Sequence, residues 1–151
     1  MIAGEDADHW LFRLGAVEGL EAARRELEDA RRRCGDRRAV LAHVRRAGGM
    51  ACNAVLVHAA TAGALTRVHV EQVWGRSYVE HLGAVADGRS WSSTDPLPSR
   101  AMELAKVLIA VSGTGQGRLV PLGRGPHAEA EGWTAAAAEL VTVLAAVCGP
   151  S

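Results

Sequence analysis

The fold is decided by residues 36–60, which read DRRAVLAHVRRAGGMACNAVLVHAA. Apolar or small residues recur in this stretch every three or four positions, as they do on one face of an α-helix. They are Leu41, Val44, Gly48, Ala51 and Val55. Asp36 precedes them, and aspartate is a preferred helix N-cap because its carboxylate accepts from exposed backbone N–H groups. The sequence therefore predicts a long helix that begins after Asp36 and ends near residue 60.

A second apolar stripe with the same spacing lies upstream and predicts a helix over about 8–33. Its members are Leu14, Val17, Leu20, Ala23, Leu27, Ala30 and Cys34. Because the connection between the two helices is short, we expect them to form an antiparallel hairpin. Gly48 and Gly49 in the middle of the second helix each cost about 1 kcal/mol relative to alanine. We therefore expect another helix to cross closely at that point and compensate for this cost.

Residues 61–73 are ambiguous, since Thr66, Val68 and Val70 alternate with polar residues as in a strand. A lone strand would have no partner, so we favour a loop near Gly63 followed by a third helix over 70–86. Its inward residues would be Trp74, Tyr78, Leu82 and Val85.

Two further helices are predicted after polar, glycine-rich and proline-rich loops at 87–99 and 113–132. The fourth covers about 97–112, and the fifth carries an apolar stripe of Trp133, Ala137, Leu140, Leu144 and Val147. Residues 1–151 are thus predicted to form one all-α domain, an up-and-down bundle of about five helices.

Charge and composition exclude several classes of protein. The 17 basic and 17 acidic residues cancel, so the whole chain has no net attraction for nucleic acid or membrane. Nine arginines in residues 22–46 are either the solvated faces of two helices or one basic surface. Residues 1–9 lack the pattern of a secretory signal, and three scattered cysteines suggest reduced thiols. We expect a cytoplasmic protein that does not insert into membranes.

Neither a phosphate loop nor a metal site is predicted. The run Gly-Thr-Gly-Gln-Gly at 113–117 is followed by Arg-Leu-Val-Pro, which does not open a long helix as a nucleotide fingerprint requires. The six histidines include no ExxH, HxxxH or HExxH pair. We therefore expect no metal and no cofactor.

Two segments resemble HEPN domains. Residues 45–56, RRAGGMACNAVL, are similar to the second-helix pattern of that family, and Arg76 with His81 five residues later matches its Arg-x4-6-His motif. The resemblance covers about residues 8–86. It implies a helical bundle that usually dimerises and, in active members, a metal-independent ribonuclease, often a toxin of toxin–antitoxin or defence systems. Many other members are inactive.

The residue types fit this chemistry. Metal-free RNA cleavage needs a base or acid near neutrality and a fixed cation for the phosphate, which His81 and Arg76 would supply. Ser77, Tyr78 and Asn53 are the expected substrate-binding residues. Residues five apart lie roughly 140° apart on a regular helix. Either a distortion at the adjacent glycine or a cleft shared by two subunits is therefore needed to bring Arg76 and His81 together.

A non-catalytic interpretation stays open. Arg76 and Glu80 are spaced to form a surface ion pair, and Trp74 and Tyr78 to form an aromatic contact. The chain would then be a helical dimerisation or protein-interaction module. We expect a homodimer with the second and third helices near the interface. RNA, and a nucleotidyltransferase or antitoxin, are the candidate partners, and DNA is not expected to be cleaved.

Overall fold

The computed structural model describes residues 14–63, 70–88, 97–110 and 126–149. They form a π-helical turn, Val70–Trp74, and five α-helices. The helices are α1 Ala16–Arg32, α2 Arg37–Thr61, α3 Tyr78–Ala86, α4 Ser99–Ala110 and α5 Pro126–Val147. The described ranges contain no β-strand, so the predicted all-α bundle of about five helices is confirmed. The 113–117 run and most of the predicted loops at 61–69, 87–99 and 113–132 lie outside the described residues.

The first two helices form the predicted hairpin, and α1 packs against α2. Four members of the predicted stripe are buried, namely Leu20, Ala23, Leu27 and Ala30. Two members were predicted wrongly, because Val17 is 56% exposed and Cys34 is exposed. The predicted helix over 8–33 is not continuous, since Gly15 is the extended N-cap of a helix that begins at Ala16, and residues 8–13 lie outside the described residues.

Helix α2 lies at the centre of the bundle and contacts every other helix. Asp36 caps it as predicted, with its Oδ1 atom accepting from the Ala39 N–H at 3.1 Å. All five residues of the predicted stripe are buried. A Cβ atom at Gly48 would lie 3.2–3.4 Å from the side chains of Leu82, Leu108 and Leu140. Gly48 therefore marks the point where α3, α4 and α5 meet α2, and the predicted crossing is confirmed.

The predicted third helix over 70–86 is broken at Gly75. This residue has a φ of +84°, which is open to glycine but disfavoured for other residues. The π-helical turn therefore ends at Trp74, and a new helix starts at Tyr78. Trp74, Leu82 and Val85 are buried as predicted, whereas Tyr78 is only half-buried.

The last helix begins earlier than predicted. Residues 126–132 belong to α5 and not to a loop, and Pro126 at the first position suits a helix start because proline lacks an N–H group. The Arg37 guanidinium lies 5.1 Å from the centre of the Trp133 ring and 3.4 Å from the Glu129 carboxylate. These contacts join the start of α2 to α5.

One described segment, Glu129–Val147 in α5, is long and apolar enough to cross a membrane by length and composition. In the bundle one face of this helix is part of the core, with Ala137, Leu140 and Leu144 fully buried. This placement is that of a core helix in a globular domain, which has the same apolar composition. The three cysteines are all free thiols.

Candidate functional site

The segment that enters α3 is held by a reciprocal helix cap. The Glu80 N–H donates to the Ser77 hydroxyl at 3.1 Å, and the Arg76 backbone N–H donates to Glu80 Oε2 at 2.9 Å. The bond from the Arg76 N–H and the contact with the Ser77 hydroxyl lower the pKa of Glu80. Ser77 and Glu80 thus satisfy the free N–H groups at the start of α3. The Arg76 side chain is exposed and lies just outside the helix.

His81 lies inside the core. Its side chain is fully buried, its Nε2 atom lies 3.2 Å from the Gly75 carbonyl oxygen, and its ring packs edge-on against Trp74 with the ring centres 6.4 Å apart. Burial lowers the pKa of His81 to about 4, although the Gly75 contact and the charge of Glu80 oppose this shift. His81 is therefore neutral at pH 7. Its Nε2 atom donates to the Gly75 carbonyl and so stabilises the break between the π-helical turn and α3.

The predicted site residues are not gathered on one surface of the single chain. Arg76 and Ser77 are exposed, Tyr78 is half-buried, and His81 and Asn53 are buried. Asn53 is 5% exposed and its Oδ1 atom is buried. A substrate on the outside of this chain reaches Arg76 and Tyr78, but not His81 or Asn53.

Tyr78 connects α3 with the first two helices. Its backbone lies against Gly49, where an added Cβ atom would stand 2.3 Å from the Tyr78 Cβ. Burial raises the pKa of Tyr78, the charge of Arg46 lowers it, and the charge of Glu26 raises it. The phenol is therefore protonated at neutral pH and shares an electrostatic environment with Arg46 and Glu26.

A histidine–carboxylate pair lies in this same region, between α1 and α2. His43 Nδ1 is 2.6 Å from Glu26 Oε2, and Arg46 Nη1 donates to the two oxygens of the same carboxylate at 3.2 and 3.4 Å. The side chains of Glu26 and His43 are 16% and 21% exposed, and that of Arg46 is 48% exposed. Solvent and ligands therefore reach all three side chains.

The contact with Glu26 fixes the hydrogen-bonding roles of the His43 ring. An ionised carboxylate only accepts hydrogen bonds, so Nδ1 carries the proton that is donated to Glu26. In the neutral ring Nε2 is then the basic nitrogen, with its lone pair available. This arrangement, an imidazole oriented by a carboxylate, is the one used by histidines that act as general bases.

The same region holds a group of metal-ligand type. Carboxylate oxygens of Glu26 and Asp29 and a ring nitrogen of His43 lie within 4.8 Å of one another. Both carboxylates already have cationic partners, because Arg46 bonds Glu26 and Arg32 bonds Asp29 at 2.6 Å. A divalent cation would compete with two guanidinium groups, so the geometry favours an ion-pair network over a metal centre.

Sequence reasoning missed this cluster. No role is assigned to His43 by the sequence alone, although it lies three positions before Arg46 and thus on the same side of α2. Glu26 is 17 residues from His43 in the chain and meets it only through the register of the hairpin. The cap was also missed, although Ser-x-x-Glu at 77–80 is the sequence signature of a capping box.

No protein-family model matches the chain, and neither the curated proteins nor the solved structures include a match to it.

Proposed function

We propose that the chain is a HEPN-like RNA-binding protein whose RNA lies across Arg46, Arg76, Tyr78 and His43, here called the Arg46 surface. The observation that carries this proposal is the position of Tyr78 between α3 and α2. Its backbone rests on Gly49, its hydroxyl is in the field of Arg46, and the exposed Arg76 lies two residues before it. Two residues of chain span at most about 7 Å, so the backbone of Arg76 lies within that distance of Tyr78, on which the charge of Arg46 also acts.

These side chains suit single-stranded RNA. Arginines bind phosphate oxygens in a fixed, often bidentate geometry, and an aromatic ring offers a face or edge to an unstacked base. Among the described residues Arg46 donates to Glu26 through Nη1, and a guanidinium has further N–H groups that can bind a phosphate. The HEPN resemblance supports RNA as the ligand. It also supports a place in a toxin–antitoxin or defence system, with a nucleotidyltransferase or antitoxin as partner.

Binding of a fluorescein-labelled single-stranded RNA of mixed sequence, followed by fluorescence anisotropy, tests the proposal. Arg46→Gln and Arg76→Gln should each weaken binding about tenfold at low salt, the size of one charge-assisted contact. Each should also reduce the salt slope of log Kd by about 0.7, the contribution of one phosphate of a single strand. Arg31→Gln is the matched control, because Arg31 is exposed and lies beside Glu131 of α5, about 140° around α1 from Glu26. Equal losses of RNA affinity in all three variants would mean that binding depends only on the overall positive charge, and would contradict the proposal.

A second candidate is a non-catalytic module for dimerisation or protein interaction, which would not bind RNA. The burial of His81 and the use of Glu80 in the α3 cap favour it, since neither side chain is then presented to a substrate. Sedimentation velocity with and without RNA separates the two functions. A dimer that does not co-sediment with RNA supports the module, and a complex that does so through Arg46 and Arg76 supports RNA binding.

A further inference from the structure

The pair formed by His43 and Glu26 is more than a surface contact. Its 2.6 Å separation is short, and Arg46 bonds both oxygens of the same Glu26 carboxylate. Both partners sit on long, regular helices, so the direction of the imidazole is fixed by the hairpin. No described residue bonds the Nε2 atom of His43, and the ring is 21% exposed.

The surroundings supply a base, a cation and a phenol, but no protein nucleophile. Ser77 is exposed but serves in the α3 cap, and Cys52 is fully buried, where burial raises the pKa of its thiol to about 12. Within the described part of the chain, no serine or cysteine contacts His43 through a hydrogen bond. A reaction at this surface therefore needs either water or a substrate that carries its own nucleophile. RNA does so, through the 2′-hydroxyl group next to each phosphodiester.

We propose that His43, positioned by Glu26, is the general base of a metal-independent ribonuclease site on the Arg46 surface. The proposal rests on the RNA binding proposed above and changes the assignment of the base, which the sequence placed at His81. His43 touches the reacting 2′-hydroxyl and is the catalytic residue. Glu26 acts only through His43 and is a positioning residue.

The step balances without a metal or co-reactant. His43 Nε2 removes the proton of the 2′-hydroxyl, and the 2′-oxygen forms a bond to phosphorus. The bond from phosphorus to the 5′-oxygen breaks, and that oxygen leaves with a proton from the Tyr78 hydroxyl or from water. The products are a 2′,3′-cyclic phosphate and a free 5′-hydroxyl. Arg46 stabilises the extra negative charge on the phosphate oxygens during the transfer.

The charged groups around His43 fit its role as the base and the role of Glu26 as the residue that positions it. Glu26 and Asp29 face it from α1, Arg46 lies beside it on α2, and Tyr78 on α3 interacts electrostatically with Arg46 and Glu26. Glu26 stabilises the imidazolium that forms when His43 takes the proton. The protonated phenol of Tyr78 is a hydrogen-bond donor for the phosphate or the leaving oxygen.

The test uses the full chain, a single-stranded RNA with fluorescein at its 5′ end, and buffer containing EDTA. Wild-type protein should produce fragments ending in a 2′,3′-cyclic phosphate, and the same RNA with 2′-O-methyl groups should stay intact. His43→Ala should lower kcat about 100-fold or more, the usual contribution of a general base, and added imidazole should restore part of it. His58→Ala, a half-buried histidine of the same helix, is the matched control and should keep wild-type kcat.

Glu26→Gln separates positioning from structure. The amide has the same shape but stabilises the imidazolium less, so kcat should fall at least about tenfold while KM for RNA stays within twofold. A fall in helical content or a matching rise in KM would instead indicate a structural role and contradict the positioning role.

Failure of this inference differs from failure of the proposed function. Intact RNA binding with no cleavage, or cleavage that His43→Ala leaves unchanged, overturns the catalytic role of His43 and leaves RNA binding in place. Loss of both binding and cleavage in wild-type protein overturns both proposals. Cleavage that requires added magnesium or manganese overturns the metal-independent mechanism, and the group of Glu26, Asp29 and His43 would then act as metal ligands.

Discussion

Gly49 and Tyr78 are in contact backbone to backbone. A Cβ atom on Gly49 would stand 2.3 Å from the Cβ and 2.6 Å from the carbonyl oxygen of Tyr78, distances that no real side chain tolerates. Gly49→Ala should therefore push the start of α3 away from α2 and lower the free energy of unfolding by about 1–3 kcal/mol, the usual cost of overpacking. Urea denaturation followed by circular dichroism measures this loss.

Gly132→Ala is the control for that substitution. Gly132 is exposed inside α5, and a Cβ atom there meets nothing within 4 Å. The substitution should stabilise the chain by up to about 1 kcal/mol, because alanine favours the helix. If Gly49→Ala and Gly132→Ala shift the urea midpoint in the same direction, the close approach of α2 and Tyr78 is wrong.

The burial of His81 predicts a specific dependence of stability on pH. Its pKa is about 4 in the folded chain, against an ordinary value of 6.5. As the pH falls below about 6.5 the unfolded chain binds this proton first, so folding stability declines until about pH 4 and the contribution is then constant. The loss is on the order of 3 kcal/mol.

His81→Gln tests this dependence, since glutamine does not titrate and can still donate to the Gly75 carbonyl. As the pH is lowered from about 6.5 to about 4, the unfolding free energy of the wild type should fall relative to that of the variant. Urea titrations at several pH values measure it. A difference that is constant across this range would mean that His81 is exposed to solvent in the folded chain.

Arg45 is expected to be a structural residue. Its guanidinium donates to the carbonyl oxygens of Leu108 at 3.1 Å and Ile109 at 3.4 Å, near the C-terminal end of α4. Arg45→Met leaves these carbonyls without the charged donor and should cost about 1–3 kcal/mol. Arg38→Met, an exposed arginine at the start of the same helix, should change the unfolding free energy by less than about 0.5 kcal/mol. If the two substitutions lower the unfolding free energy equally, the bonds from Arg45 to the α4 carbonyls do not stabilise the fold.

Helix periodicity predicted most of this fold because the core uses one face of α1 and the predicted stripe of α2, although residues 51–57 of the central helix α2 are buried on all sides. The stripe of α2 is buried at every predicted position. The break at Gly75 escaped prediction because Trp74, Leu82 and Val85 keep their inward spacing across it. The register of α1 against α2 also escaped prediction, since a stripe fixes which face is buried but not which residues meet across it. The contact of Glu26 with His43 depends on that register.

The candidate site was predictable only in part. Arg76 and Tyr78 lie on the surface and remain in the proposed site, whereas His81 is buried because its imidazole holds the Gly75 carbonyl inside the core. The spacing of a motif does not distinguish a catalytic histidine from one that stabilises a break between two helices. Burial and hydrogen-bond partners do so, and they are the reason why the proposed site has His43 and not His81 as its base.

The homodimer remains a prediction. Gly48, Gly49 and Ala51, small residues of α2 that could let a second subunit approach closely, are buried inside the chain and do not support it. The HEPN resemblance is the remaining support, and it implies an interface near α2 and α3. Sedimentation velocity should show a dimer at micromolar concentration, and a monomer at high micromolar concentration would contradict the prediction.

Cleavage of one RNA by two histidine variants tests the central claim most directly. His43→Ala and His81→Gln are compared with wild type at equal concentration in EDTA, at a temperature where circular dichroism shows all three to be folded. We predict that His81→Gln cleaves at nearly the wild-type rate and that His43→Ala is slower by about 100-fold or more. Full activity of His43→Ala together with an inactive His81→Gln would contradict the account and restore His81 as the base.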